Sequence, residues 1–226
     1  MLLKHYFPDE DYSWQELEKI TAKVEGLWTW PTAGLLWLAE KGLSVVSIGL
    51  FDYQAFAEQG ESYLLEFYGK KVGQSQIDHS DVVQEQIIAR QYAGKAVRET
   101  RQAEVSDITT ALSSDALVIC NVNQKALNDE AGYSGHFVLL YDFGDDFFLL
   151  QDPGLPAYPE RKVSFAQFTK AWGYPTEKSQ GMVVISSVPT FIASAKTERA
   201  YQDAKAAEKA GKLISVGNLE QFLDDL

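Results

Sequence analysis

Gly135-His136-Phe137-Val138-Leu139-Leu140-Tyr141 and Phe147-Phe148-Leu149-Leu150-Gln151-Asp152-Pro153-Gly154 carry the most informative pattern in the chain. Both segments are rich in Phe, Leu, Val and Tyr, and Phe143-Gly144-Asp145 between them has turn chemistry. The spacing therefore predicts a hairpin of Gly135 to Asp142 and Asp146 to Asp152. Strand side chains alternate between faces, so His136 shares a face with Val138 and Leu140, and Asp152 with Leu150 and Phe148. A three-residue loop containing Gly144 permits an even-sum register, which puts those two faces on the same side of the hairpin. His136 and Asp152 then become neighbours at its open end. A carboxylate so placed can hold an imidazole in one tautomer and stabilise its protonated form, as the third member of a nucleophile–base–orienter triad does. The plainer alternative is a half-buried strand histidine beside an ordinary Asp-Pro-Gly turn.

Working outward, Met1 to Phe7 reads as the tail of a helix stopped by Pro8. Ser13-Trp14-Gln15-Glu16 is a capping box that opens a helix to about Val24. Thr29 to Lys41 reads as a third helix, with Pro31 in its first turn and Gly42 as its stop. Leu43 to Leu50 reads as a buried strand. Residues 53 to 95 are helical in pattern, with breaks expected near Gly60, Gly69 and Gly73, and Val82, Val83, Gln86, Ile87 and Ile88 recur at helical spacing. A short strand at Val97 to Arg101, a helix from Ser106 to Leu112, a buried strand from Ala116 to Val122, a Ser164-capped helix to Trp172 and a strand from Gly181 to Ser187 complete the pattern. Helices come first and strands cluster in the second half, which predicts an α+β fold. One domain is expected over residues 1–189, followed at 190–226 by a helical extension. In that extension Lys196 to Lys212 reads as an exposed helix and Asn218 caps a piece bearing Leu219, Phe222 and Leu226.

Composition narrows the function classes. The formal charge of -12 opposes a nucleic-acid or anionic-membrane partner, since phosphates are repelled. No apolar run reaches the ~18 residues of a membrane span, and no signal-peptide pattern opens the chain, so a cytoplasmic location is expected if Met1 is the true start. The single cysteine, Cys120, excludes an internal disulfide. No glycine-rich phosphate loop is present, and His5, His79 and His136 lack metal-ligand spacing, so no cofactor or metal is expected. His79 reads as a solvated helix cap. Trp28, Trp30 and Trp37 read as lining a helix–helix contact.

The stretch Gly135-His136-Phe137-Val138 … Asp152-Pro153-Gly154 … Val163-Ser164-Phe165-Ala166-Gln167-Phe168-Thr169-Lys170-Ala171-Trp172 resembles the His/Asp half of the bacteriocin-processing cysteine peptidases, papain-like proteins that cleave leader peptides after a double glycine. In outline the resemblance runs over residues 1 to 187. It implies a papain-like fold with N-terminal helices packed on a C-terminal antiparallel sheet. It further implies a peptide or protein substrate, His136 as base and Asp152 as its orienter. The family places its cysteine at the N-terminus of the first helix, where the helix dipole and the histidine favour the thiolate. Met1 to Phe7 resembles the end of that helix, which places the expected cysteine about two turns before Met1. Either an upstream start supplies it, or the chain is an inactive relative that binds peptide. Cys120, His136 and Asp152 occur in triad order, but Cys120 ends the apolar run Ala116 to Ile119 and reads as a small core residue.

Overall fold

The computed structural model describes residues 1–154, 156–173 and 176–187. The expected extension at 190–226 lies outside them. Within them the protein is a mixed α/β fold around a seven-stranded sheet of order β2-β1-β7-β3-β4-β5-β6. In chain order the strands are β1 (Ser44–Ile48), β2 (Val97–Glu99), β3 (Leu117–Asn123), β4 (Gly135–Phe143), β5 (Phe147–Asp152), β6 (Tyr158–Ser164) and β7 (Met182–Ser186). All neighbouring strands run antiparallel except β1 and β2, which are parallel. The expected segregation is therefore incomplete: two strands from the helical first half complete the sheet beside β7.

Of the helices α1 (Leu2–Tyr6), α2 (Trp14–Ile20) and α3 (Thr32–Glu40), α2 opens on the expected capping box, whereas α3 starts after Pro31, its N-cap, and not at Thr29. Ser13 Oγ accepts from the Glu16 amide, and the Glu16 carboxylate accepts from the Ser13 amide at 2.7 Å. α2 ends short of Val24 because Ala22 turns into the left-handed region at φ 50. Gly42, at φ 93, supplies the same break after α3.

Next come α4 (Tyr53–Gln59), α5 (Glu61–Asp78) and α6 (Val82–Lys95). Gly60 and Gly69 break the helical path at positive φ, as their composition predicts. Gly73 does not. A Cβ on it would lie 2.6 Å from the Leu64 carbonyl oxygen, so this glycine serves close packing of the two halves of α5 across the Gly69 kink. The break falls instead at His79-Ser80-Asp81, where His79 caps α5 and the Asp81 carboxylate accepts from the Gln84 amide to start α6. The inward face of α6 also differs from expectation. Val82, Glu85, Ala89 and Tyr92 are buried, whereas Val83 and Ile87 are exposed.

The sheet is covered on both faces. Val45 and Ile185, paired across β1 and β7, pack with Leu35, Leu36 and Leu38 of α3 and Tyr92 of α6, and Leu2, Leu3 and Tyr6 of α1 join that cluster. On the other face lie Val118, Cys120, Val138, Leu140, Phe148 and Leu150, all buried. This second face is covered by α7 (Val105–Ser113) and α9 (Phe165–Trp172), the short α8 (Gln124–Leu127) following directly on β3. Phe148 meets Phe168 edge-on at 5.0 Å, and Phe168 meets Trp172 at 5.4 Å. Burying such rings contributes about 1.5–3 kcal/mol each and anchors α9 across β3, β5 and β6. The three early tryptophans separate in role. Trp30 stacks on Phe56 and donates to Ser80 Oγ, Trp37 packs against Phe7 and Tyr12, and Trp28 stacks on His79 near the surface. Among the described residues no helix is long and apolar enough to cross a membrane.

Candidate active site

β4 and β5 form the expected hairpin, and its register decides where His136 and Asp152 stand. Near the turn the pairs are Phe143 with Phe148 and Asp142 with Leu149, an odd-sum register that would put the two side chains on opposite faces. A bulge at Tyr141 inserts one extra residue in β4, after which Leu140 faces Leu150 and Leu139 faces Gln151. The open end therefore has the even-sum register. The expected juxtaposition arises from this bulge and not from the loop.

His136 Nε2 lies 2.5 Å from Asp152 Oδ1. A carboxylate can only accept, so Nε2 carries the proton in this contact and Nδ1 keeps its lone pair when the ring is neutral. Asp152 is 4% exposed and His136 16%. The Gly154 amide donates to the same Oδ1 at 3.1 Å, and Arg161 Nη1 donates to Oδ2 at 2.9 Å. Burial pushes the Asp152 pKa up, but the Gly154 amide, His136 and Arg161 outweigh it, and the carboxyl titrates below its ordinary value. The Asp-Pro-Gly segment is thus a turn and part of the site at once. A Cβ on Gly154 would lie 2.7 Å from Gln124 Nε2, 3.1 Å from Asp152 Oδ1 and 3.7 Å from His136 Cε1. The end of Gln124 can swing aside, but the approach to Asp152 is tight for any side chain.

Sequence reading missed Arg161. It sits on β6, an edge strand whose Tyr158-Pro159-Glu160-Arg161-Lys162 run lacks the apolar alternation that marks a strand. Charged residues and proline are what an edge strand carries, and that was the available signal. A β6 irregularity with Glu160 at φ 55 lets Arg161 face Leu150 while Tyr158 faces Asp152. Arg161 thereby shares the face of Asp152.

Cys120 also lies on this face, opposite Val138 on β4 and Met182 on β7. It is 1% exposed, and burial pushes its thiol far above the ordinary range. It lies in mid-strand, not at a helix N-terminus. Such a thiol is an inert core group. α1 packs into the cluster on the opposite face of the sheet, that of Val45 and Ile185. His79 is the C-cap of α5, its Nδ1 2.9 Å from the Ser75 carbonyl oxygen, and is remote in sequence from the pair. Among the described residues no group of three or more His, Cys, Asp or Glu side chains could hold a metal ion.

Comparison with protein-family models and with curated proteins finds no match for this chain. The geometry is that of an imidazole whose Nε2 faces a buried carboxylate held ionised, leaving Nδ1 as its second ring nitrogen. That arrangement can take a proton from a nucleophile and return it to a leaving group.

Proposed function

We propose that this chain carries the base and orienter of a papain-like cysteine hydrolase acting on peptide or amide bonds, of the bacteriocin-processing type. His136 takes the proton of the nucleophile and returns it to the leaving amine, while Asp152 holds the ring and stabilises the imidazolium. The observation that carries the reading is the 2.5 Å contact between His136 Nε2 and a buried, ionised Asp152. The α9 helix, whose Phe168 and Trp172 pack behind the strand pair, supports it as the element the resemblance pairs with the His/Asp motif. The reading requires a nucleophile from outside these 226 residues, because Cys120 is the chain's one cysteine and is buried in the core.

The same burial favours a second reading, in which the chain binds peptide without turnover. One experiment separates them. The chain, alone and extended upstream in its reading frame, is assayed on fluorogenic peptide amides with and without a thiol alkylator. The hydrolase reading expects thiol-dependent cleavage in the extended chain that survives Cys120→Ala. It expects that cleavage to fall by a factor on the order of 10³ or more in His136→Ala. Peptide binding with no cleavage by either form would support the second reading and overturn the first.

A further inference from the structure

We propose that Arg161 is a positioning residue that sets the basicity of His136 through Asp152. The inference rests on the base–orienter reading of that pair and adds a member which the resemblance does not name. The guanidinium is held from three sides. Nη1 donates to Asp152 Oδ2 at 2.9 Å, Nη2 donates to the Leu127 carbonyl at the end of α8 at 2.5 Å, and Cζ lies 5.7 Å from the centre of the Tyr158 ring. Gln167 Nε2 of α9 donates to the same carbonyl at 2.9 Å, which fixes the acceptor as well. Arg161 is only 15% exposed, so solvent screens its charge weakly.

The division of the carboxylate is what matters chemically. Oδ1 serves the imidazole and the Gly154 amide, and Oδ2 serves a permanent cation. A buried carboxylate facing an imidazole favours the imidazolium. A guanidinium on the far oxygen draws off part of that charge and opposes the imidazolium. The bond to Oδ2, with Nη2 anchored on the Leu127 carbonyl, also opposes rotation of the carboxylate away from Nε2. Of the other ionisable groups nearby, the Lys125 chain on α8 lies along Gly132, and the Tyr133 hydroxyl lies beside Gly135. The Asp152 carboxylate is held by His136, Gly154 and Arg161.

The test is the His136 titration, followed by ¹H–¹⁵N NMR in the whole labelled chain without substrate, for the unaltered protein, Arg161→Gln and Arg161→Lys. Glutamine keeps a donor and removes the charge, whereas lysine keeps the charge and loses the fork. Arg161→Gln is expected to raise the His136 pKa by about one unit, a tenfold change in proton affinity, with Arg161→Lys staying close to the unaltered value. An unshifted Arg161→Gln, or equal shifts in both variants, would overturn the proposal by reducing Arg161 to a structural hydrogen bond. If Arg161→Gln does not fold, Arg161→Met, which also removes the charge, takes its place, and an unmoved pKa there overturns the proposal. Because no substrate enters, failure of the hydrolase reading leaves this result intact, and an activity that needs His136 but ignores Arg161 sinks only this inference.

Discussion

Asp152 is where the energetics of the site concentrate, since one buried carboxylate satisfies three donors. Asp152→Asn turns an acceptor-only group into one that must aim an amide N–H at one of those donors. It is expected to lower stability by about 3 kcal/mol, read from denaturant midpoints. The folded-state pKa of Asp152 is depressed, so its contribution is present above the unfolded value near 3.9. That contribution is lost as pH falls through the folded value. Acid unfolding of the unaltered chain should therefore steepen below about pH 4, and Asp152→Asn should remove that component. Gly154→Ala tests the same spot sterically. Its Cβ has to displace Gln124 or the carboxylate, and displacement of the carboxylate appears as a changed His136 imidazole spectrum with the rest of the fold intact.

At the scale of elements, α6 carries an unexplained carboxylate. Glu85 is 5% exposed and its Oε2 has no hydrogen-bond partner among the described residues. Burial, with a smaller push from the charge of Asp81, raises its pKa from 4.5 to about 7. An acid whose folded pKa is raised binds protons preferentially in the native state. Stability is therefore greatest below about 4.5, falls as pH rises through the window to about 7, and then levels. Glu85→Gln should flatten that fall and raise stability above pH 7 by about 1 kcal/mol, after allowing for screening. Thermal midpoints across pH would show it, and an unchanged slope would contradict it. α5 offers a steric counterpart. Gly73→Ala should destabilise by about 1–3 kcal/mol, because the obstacle at 2.6 Å is backbone and cannot swing aside.

Over the whole molecule, local chemistry was legible where it was strong. The Ser13 box, the Gly42 stop, the apolar strands and the hairpin all appear at or near their expected positions. What stayed hidden depends on contacts distant in sequence. The inward face of α6 is set by packing on α3 and α4, so the acidic Glu85 points in while Val83 and Ile87 point out. The parallel β1–β2 edge depends on where a three-residue strand docks. The bulge at Tyr141 and the edge strand holding Arg161 leave no apolar periodicity to read. His136 and Asp152 could be named from spacing and resemblance, but the cation behind them could not.

All of this turns on one imidazole held by one carboxylate. Long-range ¹H–¹⁵N NMR of His136 in the labelled chain near neutral pH reads the ring's tautomer directly. The Nε2-protonated form should dominate, with Nδ1 unprotonated, and Asp152→Asn should abolish that bias. A tautomer mixture typical of a solvent-exposed histidine, unchanged by Asp152→Asn, would contradict it.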